Sequence, residues 1–179
     1  MKRTAGFTIV ELMITLVIAT ILATIAGPPL ISLIQNGRGF SGANDLHSLL
    51  TFARGQAVTR QQPVVVCSWA ADGSGCANDK KWSSRQIQAF VDSNGDGVYD
   101  KTESKLKAIG PFADQDILYS SRVSYGFTAQ GRASGLNNGY VLYCPGSASS
   151  DFNRRVSVAS SGRISVAKKK SDPSVGNCP

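Results

Sequence analysis

Between Asp92 and Glu103 the sequence reads DSNGDGVYDKTE, a run whose oxygen-bearing side chains recur at the intervals of a calcium-chelating loop. Calcium is a hard cation that selects carboxylates, carbonyls and water, and the pattern D-x-[DN]-x-[DN]-G-x5-E spaces such ligands around one ion. Asp92, Asn94, Asp96, Gly97 and Glu103 stand in that register, with Val98 offering its carbonyl and Asp100 in the ninth position. The same residues also make a good turn, because Asn and Asp side chains bond their own backbone and Gly accepts left-handed conformations. The preceding IQAFV reads as a strand, where a calcium-binding helix-loop-helix needs a helix. A calcium site and a structural turn are therefore the two readings of this segment.

A second constellation is cationic. Residues 122 to 179 carry eight basic side chains against two acidic ones, Asp151 and Asp172, whereas residues 72 to 116 carry eight acids and six bases. The basic set comprises Arg132, Arg154, Arg155, Arg163, Lys168, Lys169 and Lys170. Side chains two apart on a strand share a face, so Lys168 and Lys170 point together and a neighbouring strand can add Arg154. Such a surface neutralises phosphates without reading base sequence, which makes double-stranded DNA a candidate partner. The alternative is a solvated basic face that aids solubility.

Glu11 is the third residue of interest, a carboxylate near the start of an otherwise apolar run. An acidic side chain at mid-membrane costs roughly 3 kcal/mol. From Leu12 to Gln35 there is no charge, and the run exceeds the ~20 residues a helix needs to span hydrocarbon. Lys2 and Arg3 precede it, and the positive-inside rule then places the rest of the chain across the membrane from the cytoplasm. An ordinary secretory signal has a shorter apolar core and a small-x-small cleavage site, for which Ala23 to Ala26 offer weak candidates.

Outside the cytoplasm disulfides persist, and the four cysteines, Cys67, Cys76, Cys144 and Cys178, form an even set. Three pairings are possible. The preferred one joins Cys67 to Cys76 around a short Gly-containing loop and Cys144 to Cys178, pinning the C-terminal tail. No cysteine spacing resembles zinc ligands, and His47 is the single histidine, read as a surface or capping side chain. Neither a nucleophile elbow nor a phosphate loop nor an HExxH motif occurs, so the chain is not expected to be an enzyme.

The elements that must position these groups follow from the hydrophobic pattern. Residues 7–61 read as an N-terminal helix, apolar all round over about 7–35 and amphipathic over 41–61, with NGRGFSGAN the weakest helical stretch. Pro28 and Pro29 predict a kink or local melting, since proline removes a helix hydrogen bond and clashes with the preceding turn. Residues 62–179 read as a β-rich head, with strands over PVVVCSW, IQAFVD, KLKAIG, RVSYGFTAQG, NGYVLYC, RRVSVASSG and RISVAKK. SVASSGRISV has alternating apolar residues on both sides of a Ser-Gly turn, a hairpin signal. The expectation is an α+β chain, a mostly antiparallel sheet head against the second half of the helix.

The start of the chain, a basic leader ending in Gly6 and followed by FTIVELM with Glu11 four residues after Phe7, resembles the signal of type IV pilins and type II secretion pseudopilins. The resemblance implies a type IV pilin-like fold and a leader, residues 1–6, removed by prepilin peptidase between Gly6 and Phe7. It also implies N-methylation of Phe7 and single-pass residence in the inner membrane with a periplasmic head. Assembly would follow, with the inner-membrane platform and other major and minor pilins as partners. Glu11 would pair with the cationic N-terminus of a neighbouring subunit in the filament, which supplies the partner that a buried carboxylate requires. In pilins of this kind proline near residues 28 and 29 loosens the helix during packing.

Along the head, AFVDSNGDGVYDKTE, YGFTAQGRASG, YVLYC and VSVASSGRISV occur in an order that resembles the GspH/FimT class of minor pilins and pseudopilins. In related minor pilins stretches like the first serve as hairpin loops. FimT-like members include DNA receptors that use a Gly-Arg-x-Arg motif; here Gly162 and Arg163 match, Ser165 stands at the second arginine, and Lys168 to Lys170 supply charge nearby. A type IV pilus minor pilin is the implied function, with a type II secretion pseudopilin and a dedicated DNA receptor as rivals.

Overall fold

The computed structural model describes residues 6–135, 138–169 and 171–179, apart from the side chains at 25–29 and 173. It divides into two units, Met1–Gln35 and Asn36–Pro179, and one helix, α1 (Ile9–Arg60), contributes to both. Of the expected leader, residues 1–5 lie outside the described residues.

In the first unit α1 starts at an N-cap: the Glu11 backbone N–H donates to Thr8 Oγ1 at 3.2 Å, satisfying one donor that the first turn leaves without an intrahelical partner. Glu11 thereby sits where the helix dipole favours negative charge. The hydroxyls of Thr15, Thr20 and Thr24 each donate to the carbonyl three residues earlier at 2.8 Å, so an apolar surround would strip none of them of a partner. Of the kink or local melting expected at Pro28 and Pro29, the melting is not seen: helical backbone continues through Gly27, Pro28 and Pro29. Each proline removes only its own N–H donor from the helix ladder.

The second unit packs the remainder of α1 on two four-stranded antiparallel sheets. Sheet 1 contains β1 (Val64–Ser68), β2 (Ile87–Val91), β3 (Lys105–Ile109) and β5 (Ser124–Phe127) in the order β3-β2-β1-β5. Sheet 2 contains β4 (Ile117–Ser120), β6 (Gly139–Cys144), β7 (Arg154–Val158) and β8 (Ile164–Lys168) in the order β4-β6-β7-β8. Strand β4, built from ILYS, was absent from the sequence reading because its apolar signal is shorter than the usual strand run. The expected hairpin is β7 with β8, paired antiparallel from Arg154 opposite Lys168 to Val158 opposite Ile164.

Period-2 alternation sends Val64 and Val66 of β1, Ile87 and Ala89 of β2, Val141 and Tyr143 of β6, and Val156 and Val158 of β7 into one core. They meet Ala43, Leu46, Leu49, Leu50, Ala53 and Ala57 of α1, all buried at helical spacing. The glycine-rich NGRGFSGAN is helical throughout, earlier than the expected onset of packing at residue 41. Its glycines mark close approach: a Cβ on Gly42 would lie 2.3 Å from the Tyr143 ring, and one on Gly39 2.7 Å from the Phe152 carbonyl oxygen. Glycine here trades helix propensity for contact distance.

The other face of each sheet is covered differently. On sheet 1, Val65, Cys67, Trp69 and Phe90 form a separate cluster with Tyr99, whose ring centroid is 4.9 Å from that of Trp69. On sheet 2, Leu142 and Cys144 are covered by Val175 and Cys178 of the C-terminal tail. Disulfides join Cys67 to Cys76 and Cys144 to Cys178, fastening each cover to its sheet.

Candidate functional site

At the N-terminus Gly6 and Phe7 lie just before α1, and Glu11 lies in its first turn. Phe7 is 82% exposed and, from Ile9 to Leu22, the large apolar side chains are exposed on every side of the helix. Among the described residues no helix is long and apolar enough to cross a membrane. The described side chains of the uncharged run break off after Thr24 and resume at Leu30. The Thr8 cap was not part of the sequence reading, although Thr8-x-x-Glu11 is the spacing of a capping box.

The loop from Asp92 to Glu103 is a self-bonded turn, and among the described residues no group of three or more acidic, histidine or cysteine side chains is placed to hold a metal. Buried Asp92 accepts from the N–H groups of Gly95 at 2.9 Å and Gly97 at 3.0 Å, and buried Glu103 from those of Ser93 at 2.8 Å and Asp100 at 3.1 Å. Asp96 accepts from Val98 N–H at 2.7 Å and from Asn94 Nδ2 at 2.9 Å. Asp100 accepts from the hydroxyl and the N–H of Thr102, which hold its carboxyl below the usual carboxylate range. Asp92, Asn94, Asp96, Val98, Asp100 and Glu103, the expected calcium ligands, are thus held in this turn by one another, by backbone donors and by Thr102. Left-handed Gly95 and Gly97 bring their backbone N–H groups onto Asp92.

The C-terminal basic set is likewise not one surface. Arg154 is 4% exposed: its Nη1 donates to the Phe152 carbonyl at 2.8 Å and its Nη2 to Asn36 Oδ1 at 2.7 Å. Burial disfavours its charged form and draws its pKa below the usual arginine value. Arg155 stacks 4.5 Å over the Tyr140 ring and donates to the carbonyls of Ser174 and Val175. Lys169 donates to Ser149 O and to Asn177 Oδ1, both at 2.8 Å. These last two cations hold the C-terminal tail. Arg163, just before β8, and Lys168, at its end, remain exposed on opposite sides, Arg163 beside Ser165 and Lys168 beside Val166. Lys170 lies outside the described residues.

Arg163 owes its place to Gly162, which has φ +78° and where a Cβ would come 2.0 Å from the Gly131 carbonyl oxygen. That same carbonyl accepts from Arg54 Nε of α1 at 2.9 Å, so the loop against which Gly162 packs is tied to the helix. A further buried polar group escaped the sequence reading. Asp116 accepts from Tyr143 Oη at 2.6 Å and lies 3.4 Å from Arg38 of α1, joining the helix to sheet 2. Burial, reinforced by the Asp116 hydrogen bond, pushes the Tyr143 hydroxyl well above the usual phenol range. Nothing local in the sequence marks Asp116, because its partners are far away along the chain.

Comparisons with known proteins agree with this architecture. The chain matches the prokaryotic N-terminal methylation motif over residues 1–27 and the family described as type II transport protein GspH over residues 42–162. No curated protein matches it. Two crystal structures of the type IV minor pilin FimU of Pseudomonas aeruginosa superpose with a TM-score of 0.54 at 19% identity, over 73% of this chain and 88% or 93% of theirs. That likeness shows the fold, a long N-terminal helix on antiparallel sheets. The helix, the two sheets and the GspH match over most of the head together show that the chain belongs to the GspH family, as a type IV pilin-like protein of the minor pilin or pseudopilin class.

Proposed function

We propose that this chain is a minor pilin of a type IV pilus. It is held in the inner membrane as a single-pass precursor with its head in the periplasm, cut between Gly6 and Phe7, methylated on Phe7, and assembled into or at the tip of the filament. The observation that carries the reading is the first half of α1: a helix start capped by Thr8, one acid in the first turn, and apolar side chains exposed all round. Apolar surface of that extent needs lipid or neighbouring apolar helices as its surround. Glu11 supplies a carboxylate for a neighbour's amino terminus, an ion pair that forms only when subunits stack in register.

Prepilin peptidase, the assembly platform and other pilins are the partners this role requires. A pseudopilin of type II secretion is the second reading, supported by the description of the matched family. Holding double-stranded DNA would rest on Arg163 or Lys168 with their nearest exposed cations. Because those two lie on opposite sides, a salt titration would give a slope of log affinity nearer −1 or −2 than the steeper value of a continuous basic strip, at about −0.9 per phosphate.

Mass spectrometry of mature protein tests the processing, with a chain beginning at methylated Phe7 as the expected result. A start near Gly27 would overturn it. Deletion of the gene, scored separately for pili, secretion and transformation, separates the three roles; loss of pili is expected.

A further inference from the structure

Two anomalies of the head coincide at one place. The first is charge: Arg154 is almost wholly buried, its Nε has no hydrogen-bond partner, and its other nitrogens reach only neutral oxygens. Among the described residues the two ion pairs are Arg38 with Asp116 and Arg85 with Asp79, so Arg154 has no carboxylate against it. A buried cation without a counter-charge is costly, and Lys168, its cross-strand neighbour, adds a second positive charge at the same spot. The second anomaly is apolar exposure: Phe40 of α1 is 63% exposed and Val166 of β8 45% exposed. These residues together line a groove of about 180 Å³ with Ala43 and Asn44. Strand β8 ends sheet 2, so no further strand of this chain covers it.

One occupant relieves both, a segment that carries an exposed apolar side chain flanked by carboxylates. The chain contains such a segment. In the turn Asp96-Gly97-Val98-Tyr99-Asp100, Val98 is 63% exposed and both aspartates are exposed. The turn is held rigid by its own hydrogen bonds, so little conformational freedom is lost on docking. We propose that the groove between Phe40 and Val166 receives the Val98 turn of a second copy of this chain, with Asp96 and Asp100 facing Lys168 and Arg154. The turn and the groove are different surfaces, so the contact is head-to-tail, the kind that can run on along a filament. It rests on the assembly role proposed above, but the two fail separately. Docking is read on the purified chain, whereas processing and incorporation are read in cells.

The experiment uses the full chain in detergent micelles with cysteines introduced as Val98→Cys and Val166→Cys. A chain carrying both is expected to form an oxidation-dependent ladder, and a mixture of the two single variants a dimer. Lys168→Glu should lower the cross-linking yield about tenfold, as expected for reversing one close charge pair, and Asp100→Lys on the partner should restore it. Arg154→Gln should lower the yield while circular dichroism and the melting curve report whether the head remains folded. Absence of the 98-to-166 cross-link, its persistence unchanged in Lys168→Glu, or equal dimer from Val98→Cys alone would each overturn the proposal.

Discussion

The two halves of α1 share one backbone and a similar supply of apolar residues, yet they are built for different surrounds. In the half before Asn36 the apolar positions encircle the helix, and Leu16, typical of them, is 57% exposed. In the half after it they fall on one stripe, and Leu49 is fully buried against the two sheets. Threonine hydroxyls in the first half bond back to the helix, which suits a medium without hydrogen-bonding partners. Arg38 and Arg54 in the second half bond outward to the head. The difference shows that periodicity reports the surround a helix meets: uniform apolarity for lipid or packed helices, and a stripe for a sheet core.

The comparison breaks most visibly at Glu11. Glu11→Leu makes the first half wholly apolar, so the membrane level of the precursor should be unchanged, whereas filament incorporation should fall by the equivalent of about 3 to 5 kcal/mol, the cost of removing one partner of a buried pair. Immunoblots of membrane and sheared filament fractions measure the two; normal incorporation would end the pairing role. Next in size, Leu49→Ala should lower unfolding free energy by about 2 to 5 kcal/mol, while Leu16→Ala leaves denaturation of the head unchanged. Equal effects would erase the distinction between the halves. The smallest effects sharpen it within the second half. Gly42→Ala should cost about 1 to 3 kcal/mol because Tyr143 must move, whereas Gly37→Ala, with nothing within 4 Å of its Cβ, should raise stability by about 0.5 to 1 kcal/mol. Thermal melts of both variants check the opposed signs.

Local signals carried much of the fold. The strands at residues 64–68, 87–91 and 139–144 were legible from apolar and β-branched runs, and the hairpin at 154–168 from its alternation around Ser-Gly. Glycine weakened the helical signal at NGRGFSGAN, which is nonetheless helical. Propensity argues against helix there, but the demand for close contact with Tyr143 and Phe152 outweighs it, and that demand comes from residues about a hundred positions away. The turn at Asp92 was legible from its Asn, Asp and Gly residues, but spacing is silent about which backbone donors its carboxylates meet.

What the sequence by itself determined is what depends on order along the chain: the charge pattern of the leader and Glu11, the uncharged run from Leu12 to Gln35, and the period of each strand. Those features act through neighbours a few residues apart, where geometry follows from spacing. Only the tertiary structure decided the fate of the basic set. Net charge adds up along a sequence regardless of direction, whereas a cation's availability depends on which face it takes and what it meets there. Folding buried Arg154 beside Asn36, laid Arg155 over Tyr140, spent Lys169 on the C-terminal tail, and left Arg163 and Lys168 on opposite sides.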